Sequence, residues 1–196
     1  MVVGLGNPGE EYAGTRHNIG ADAVERLVAR HHGDLRAERA LRARVATISV
    51  AGERVLAAVP TTYMNESGLA VAALVRRAGI LEADGDRAGG LERLVVVHDE
   101  LDLPSGRVKV KVGGGTAGNN GLKSIHAHLR APDYLRVRIG IGKPPGRQPG
   151  ADFVLRRPGV AEREVLAVAA EVAADAVERI VAEGPEAAMN EINAGG

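Results

Sequence analysis

Short apolar runs separated by longer polar stretches organise this chain. Val2 to Leu5 is too short for a helix and reads as a buried strand, followed by a Gly-, Asn- and Pro-rich loop from Gly6 to about Asn18. Between Ala21 and His31, Val24, Leu27 and Val28 recur at helical spacing. The β-rich runs Leu41 to Val50 and Arg54 to Val59, parted by "AGE", predict an antiparallel hairpin. After Pro60 and the loop "TTYMN", Asn65 stands where an N-cap would precede a helix through Leu69, Ala72, Ala73 and Arg76 that stops at Gly79. The unbroken apolar run in "RLVVVHDE" predicts a strand buried on both faces, with Asp99 at or just past its end. "RVKVKV" alternates as a half-exposed strand, and the flexible loop "GGGTAGNNG" leads into the helix "LKSIHAHL", with Asn120 as its cap. "YLRVRIGIG" is a further strand. A helix from Val160 to about Ala182 turns Val165, Val172 and Ile180 toward the body and Glu164, Glu171, Asp175 and Glu178 toward solvent. Strands alternating with helices, plus one hairpin, predict a single α/β domain over 1–196. Its architecture is a mixed, twisted β-sheet flanked by helices, with a C-terminal helix and mobile loops at 82–92 and 143–151.

Composition narrows the class. Cysteine is absent, so disulfide and thiol chemistry are excluded and a reducing compartment is the natural setting. The aromatic side chains are Phe153, Tyr12, Tyr63 and Tyr134, which leaves the core to Val, Leu, Ile and Ala and argues against a stacking platform for single-stranded nucleic acid. The chain enters a strand at its first residues without a basic leader, and no apolar run approaches bilayer length; the expectation is a cytoplasmic protein with no membrane association. A formal net charge of zero hides an asymmetry. Between Ser105 and Arg157 eleven basic residues face only Asp133 and Asp152, a one-sided sign that favours a polyanion-facing surface over an ordinary solvated one.

Gly4, Gly6 and Gly9 form the pattern G-x-G-x-x-G after the first strand. A dinucleotide site needs its third glycine in the first turn of a helix whose N-terminus meets the pyrophosphate. Here Pro8 interrupts, "EEYAGTRHN" intervenes before the helix, and Glu10 and Glu11 would repel a diphosphate. The glycines are better explained as a tight loop that swings Asn7 and His17 over the end of the first strand. Asn65, Asp99 and Asn120 sit on other loops at the same end, where open α/β sheets bind ligands. One imidazole, one carboxylate and three amides suit hydrolysis: a base for water, an acid that orients the base, and amides that hold a carbonyl. Taken singly, Asn65 and Asn120 read more readily as helix caps than as ligands, and His17 as a surface histidine. His31, His32, His126 and His128 read as solvated. "HDELD" invites a metal, but adjacent strand residues point to opposite faces, so His98 and Asp99 would not easily share one.

With these residues in view, the sequence resembles the bacterial-type peptidyl-tRNA hydrolase family. "VGLGNPGEEYAGTRHNIG", "PTTYMNESG", "HDELDLPSG", "KVKVGGGTAGNNGLKS" and "RVRIGIGKPPG" stand in the family's order and approximate spacing over nearly the entire chain. The resemblance implies a carboxylic ester hydrolase without cofactor or metal. Its reaction would cleave the ester between a peptide, or an N-blocked amino acid, and the 3′-terminal ribose of tRNA, releasing tRNA for reuse in translation. It implies a monomer with no obligatory protein partner, engaging peptidyl-tRNA at the acceptor stem and 3′ end. By the same resemblance His17 is the catalytic base and Asp99 its orienting partner, Asn7, Asn65 and Asn120 position substrate, and Tyr12 and Met64 line the cleft. Lys109, Lys111, Arg138 and Lys143 would hold the acceptor stem and terminal phosphates. Asn119 stands where the family commonly has histidine, Thr116 and Ala117 are also atypical, and "LEADGDRAGG" is longer than usual. A non-catalytic RNA-binding relative would compete with this reading, but His17, Asp99 and all three asparagines are present. A generic esterase is disfavoured because there is no G-x-S-x-G elbow and no cysteine nucleophile.

Overall fold

The apolar runs become strands in the computed structural model, which describes residues 1–80 and 90–195. They are β1 (Val2–Gly4), β2 (Arg36–Glu38), β3 (Ala43–Val50), β4 (Glu53–Pro60), β5 (Val95–Glu100), β6 (Val108–Val112) and β7 (Leu135–Gly140). One sheet runs in the order β2-β3-β4-β1-β5-β7-β6. β1 is parallel to β4 and β5, and β5 to β7, whereas β3 and β6 pair antiparallel with their neighbours. The helices are α1 (Ile19–Arg30), α2 (Ser67–Arg77), α3 (Asn120–Leu129), α4 (Gly150–Val154), α5 (Val160–Glu183) and α6 (Pro185–Ala194). The predicted single α/β domain with a mixed sheet is therefore the observed one. Two apolar cores flank the sheet: α1, α5 and α6 cover one face, α2 and α3 the other. β5 is buried at every position, as its continuous apolar run requires. Among the described residues no helix is long and apolar enough to cross a membrane.

Some boundaries differ from the sequence reading. Leu41 ends a short 3₁₀ turn rather than opening β3, and the polar edge strand β2 has no apolar signal to reveal it. Asn65 caps nothing: it lies within the 3₁₀ turn Met64–Glu66, and the α2 N-terminus takes no side-chain cap. On α5, Val165 is exposed, and the buried face is Leu166, Ala169, Ala170, Ala173, Val177 and Ile180. Ile180 and the partly buried Val172 face the body as expected, and the alanines, whose small side chains permit close packing, supply most of the rest of the inward stripe while Val165 turns outward. The C-terminal region holds two helices, not one. Residues 82–89 of the first expected loop lie outside the described residues, while Leu91 is buried in a turn Leu91–Arg93. The last residues of the second expected loop, Gly150 and Ala151, open α4.

Two features anchor the ends of this arrangement. The Asn193 side chain accepts from the Val110 amide at 2.8 Å and donates to the Val110 carbonyl at 3.0 Å, so α6 is stitched to the edge strand β6. Near the start of the chain, α1 lies directly against β1 and β5. A Cβ at Gly4 would stand 2.3 Å from the Gly20 carbonyl oxygen, and one at Gly20 would stand 2.3 Å from that of Val97.

Asp22, in the first turn of α1, is half-buried, and burial, reinforced by Glu25 and opposed by Arg26, lifts its pKa from 3.8 to about 6. The folded chain then holds this proton through a window in which the unfolded chain has lost it, so the group's contribution to stability falls as pH rises from roughly 4 to 6. Asp22→Asn should raise Tm at pH 8, by about 2–4 °C for each ~1 kcal/mol relieved, and change it little at pH 4. Thermal melts at the two pH values check this; an equal shift at both would contradict it.

Candidate active site

Because β1, β4 and β5 run parallel, the loops after them emerge at one end of the sheet. The loop after β1 carries Asn7 and Tyr12 and turns through Arg16–Asn18 into α1, which brings buried His17 down beside Asp99 near the end of β5. His17 Nδ1 lies 2.9 Å from Asp99 Oδ1. The same carboxylate oxygen accepts from Asn119 Nδ2 at 3.0 Å. With the Asp99 carboxylate oxygen as acceptor, the imidazole donates from Nδ1, which leaves the lone pair on Nε2. His98 takes no part. It is buried in the opposite core, donates from Nδ1 to the Asp99 carbonyl at 2.7 Å, and is held below the ordinary imidazole pKa by burial. Among the described residues no three His, Asp or Glu side chains gather closely enough to hold a metal.

On one side of this pair is a cavity of about 220 Å³, walled by His17, Asp99, Leu101, Ala117, Asn120 and Val154 among others. Asn7, which does not line this cavity, is fixed twice. Its backbone exchanges reciprocal 2.9 Å hydrogen bonds with the Asn18 side chain, and its Oδ1 accepts from the Met64 amide at 2.8 Å. This orientation commits the Asn7 oxygen and leaves its N–H groups to donate. Tyr12 packs edge-on to Tyr63, with ring centres 6.3 Å apart. Asn65 is exposed beside Met64. Asn7, Tyr12, Met64 and Asn65 are thus gathered near the site but do not wall the cavity, whereas Asn120 does.

Two positioning residues were not singled out from the sequence. Asn18 reads there only as the end of the loop after β1. Arg16 is buried, pairs with Glu162, donates to the Phe153 and Arg156 carbonyls and stacks on Phe153 at 4.1 Å, tying α4 and α5 to the turn that holds His17. Asn119, noted in the sequence only as a departure from the family, has a structural role as well. It, and not Asn120, caps α3, its Oδ1 accepting from Gly121 and Leu122 at 2.9 and 3.1 Å. In "NNG" either asparagine satisfies the capping preference, and only the backbone decides which of them is extended.

The basic residues divide. Lys109 and Lys111 of β6 stand directly opposite Arg138 and Arg136 of β7, so all four side chains issue from one face of the sheet. Arg138 is engaged by Glu100 at 3.0 Å, and Lys143 lies 3.6 Å from Asp102. Arg136 is buried.

The sequence profile described as Peptidyl-tRNA hydrolase matches residues 1–196. The peptidyl-tRNA hydrolase of Cutibacterium acnes is 45% identical, over 98% of this chain and 97% of its own. That of Frankia casuarinae is 48% identical, over 99% and 93%. A crystal structure of peptidyl-tRNA hydrolase from Acinetobacter baumannii superposes with a TM-score of 0.89 at 35% identity, covering 98% of this chain and 93% of that one.

The capping geometry separates the two asparagines. Asn119→Ala should cost about 1–2 kcal/mol of stability, since it removes the cap and leaves Asp99 with one donor fewer. Asn120→Ala should leave stability within about 0.5 kcal/mol, as for an exposed substitution. Urea unfolding of both variants checks the order, and the reverse order would contradict the cap assignment.

Proposed function

Because this chain belongs to the peptidyl-tRNA hydrolase family, and so hydrolyses peptidyl-tRNA to release the tRNA, we propose that His17 is the base that activates the attacking water. The observation that carries this reading is the buried His17–Asp99 hydrogen bond of 2.9 Å at the cavity wall. In this mechanism Nε2 takes a proton from water as its oxygen attacks the ester carbonyl carbon. Asp99, accepting from Nδ1, holds the ring and stabilises the imidazolium that forms. The tetrahedral oxyanion needs donors. The Asn7 amide, whose oxygen is already committed to the Met64 backbone, and Asn120 on the cavity wall are the groups suited to that and to holding the substrate. Collapse expels the ribose oxygen of the terminal nucleotide, which recovers the proton from Nε2. The products are a free carboxylic acid and tRNA with its terminal hydroxyl restored. Tyr12, Met64 and Asn65 belong on this reading to the rim that receives the acceptor end.

The face of β6 and β7 supports a docking surface for the acceptor stem. Lys109 and Lys111 lead it, because neither has a carboxylate partner among the described residues. Arg138 and Lys143 would have to exchange Glu100 and Asp102 for phosphate. The reading further assigns a cytoplasmic setting, where tRNA is used, and action as a monomer.

Incubation with N-acetylaminoacyl-tRNA tests the reaction. His17→Ala should lower turnover by on the order of 10²- to 10⁴-fold while tRNA binding persists. Asp99→Asn should lose less, since an amide oxygen can still receive the Nδ1 proton but brings no charge to the imidazolium. Near-normal turnover in a folded His17→Ala protein would sink the mechanism. For the docking surface, each phosphate contact removed at Lys109 or Lys111 should lessen the salt slope of tRNA binding by about 0.9. A double alanine variant with an unchanged slope would move the stem elsewhere.

A further inference from the structure

The glycine run of the loop 113–118 has an occupant. Arg136 reaches under it from β7, only 3% exposed. Nη1 donates to the Gly115 carbonyl at 2.6 Å, Nη2 to the Gly114 carbonyl at 2.5 Å and to His126 Nε2 at 2.9 Å, and the guanidinium lies 4.9 Å over the Tyr134 ring. No carboxylate stands within ion-pair distance of it among the described residues. A cation taken out of water without a counter-charge must be compensated by dipoles. Here two carbonyl oxygens, an aromatic face and an imidazole lone pair supply them. The two carbonyls belong to successive residues, and left-handed backbone at Gly113 and Gly114, φ 60° and 103°, allows the turn that delivers both to one planar fork. His126 is therefore not the solvated side chain its sequence position suggests. It accepts only while unprotonated, and burial and the guanidinium both lower its pKa against the opposing Asp133.

The loop so held leads straight into the site. Asn119 closes its last turn through a 2.8 Å bond from its amide to the Thr116 carbonyl and then donates to Asp99. Ala117 and Gly118 wall the cavity. We propose that Arg136 is a positioning residue for ester hydrolysis: by gripping the Gly114 and Gly115 carbonyls it fixes the loop that holds Asn119 on Asp99 and shapes the cavity wall. Although its charge places it with the basic residues of the sheet face, Arg136 then serves the interior and not the phosphates of the RNA. This inference rests on the hydrolase reading above.

Two substrates separate the roles: N-acetylaminoacyl-tRNA, and the same N-acetylaminoacyl ester on a short 3′-terminal oligonucleotide that lacks the acceptor stem. Arg136→Gln should lower kcat on both alike, by on the order of 10²-fold for a displaced site, with KM for the full substrate little changed. Arg136→Lys, which keeps the charge but not the fork, should recover part of the loss. In hydrogen exchange, the segment 113–122 of Arg136→Gln should exchange faster while β1 and β5 stay as protected as in the wild type. A raised KM and lower salt slope on full tRNA, with unchanged turnover of the short ester, would overturn the proposal and make Arg136 a phosphate contact. Unaltered exchange of the loop would overturn it as well. If Arg136→Gln does not fold, Arg136→Lys carries the same two readouts, and no change in either would overturn the anchor. Wild-type protein inert on both substrates would remove the hydrolase reading instead, leaving the loop exchange to decide whether Arg136 is an anchor.

Discussion

The close approach of α1 to β1 and β5 is the constraint on which the site depends. Helices usually rest on a sheet through side chains, but at Gly4 and Gly20 the backbones themselves meet, and a Cβ on either glycine would lie 2.3 Å from a carbonyl oxygen, well inside van der Waals contact. The contact is locked by hydrogen bonds from the Leu5 amide to the Val97 carbonyl and from the Ala21 amide to the Leu5 carbonyl. Because α1 begins so low on the sheet, the turn just before it has nowhere to go but across the carboxyl ends of β1 and β5. His17 is on that turn and Asp99 is on that strand. The first glycine of the G-x-G-x-x-G pattern therefore marks backbone proximity.

Around this point the structure spends polar groups economically. Asp99 Oδ1 receives two donors that arrive from different parts of the chain, the loop after β1 and the N-terminus of α3. Asn119 uses both ends of its amide, oxygen on the helix and nitrogen on the carboxylate, so the start of α3 and the orientation of Asp99 are set by one side chain. Asn18 does the same for the Asn7 loop. Arg16 joins that turn to α5 and to α4, whose Gly150, Ala151 and Val154 line the cavity. Shared amides of this kind keep buried polar groups paired and leave few ways for the loops to shift independently.

Much of this was legible beforehand because it rests on local signals. The buried run of β5, the alternation of β6 and the hairpin of β3 and β4 follow from apolar period, and the convergence of His17, Asp99 and Asn7 follows from the placement of ligand sites beyond parallel strand ends. What was not legible depends on partners distant in sequence. The cap at Asn119 instead of Asn120 is a matter of one backbone dihedral. On α5 the expected Val172 and Ile180 do face the core, but Val165 does not, because the alanines fill the inward stripe there. Arg136 stands in the basic stretch and Arg16 in a polar loop, and only the fold reveals the carbonyls and rings that accept them. Nothing in the sequence near Arg136 announces that a glycine loop more than twenty positions earlier will lie over it.

The stitch between Asn193 and Val110 bears on the edge of the sheet. β6 is the last strand of the sheet, and an unpaired strand offers its peptide groups to any other chain as the next rung of a growing ladder. At Val110 both outward groups are already answered by a side-chain amide that imitates a neighbouring peptide. The final helix is thus a stopper as well as a packing element. Association along this rim would first require α6 to let go, so the barrier to strand-by-strand polymerisation is the free energy of detaching a helix and not the mere reluctance of a polar edge.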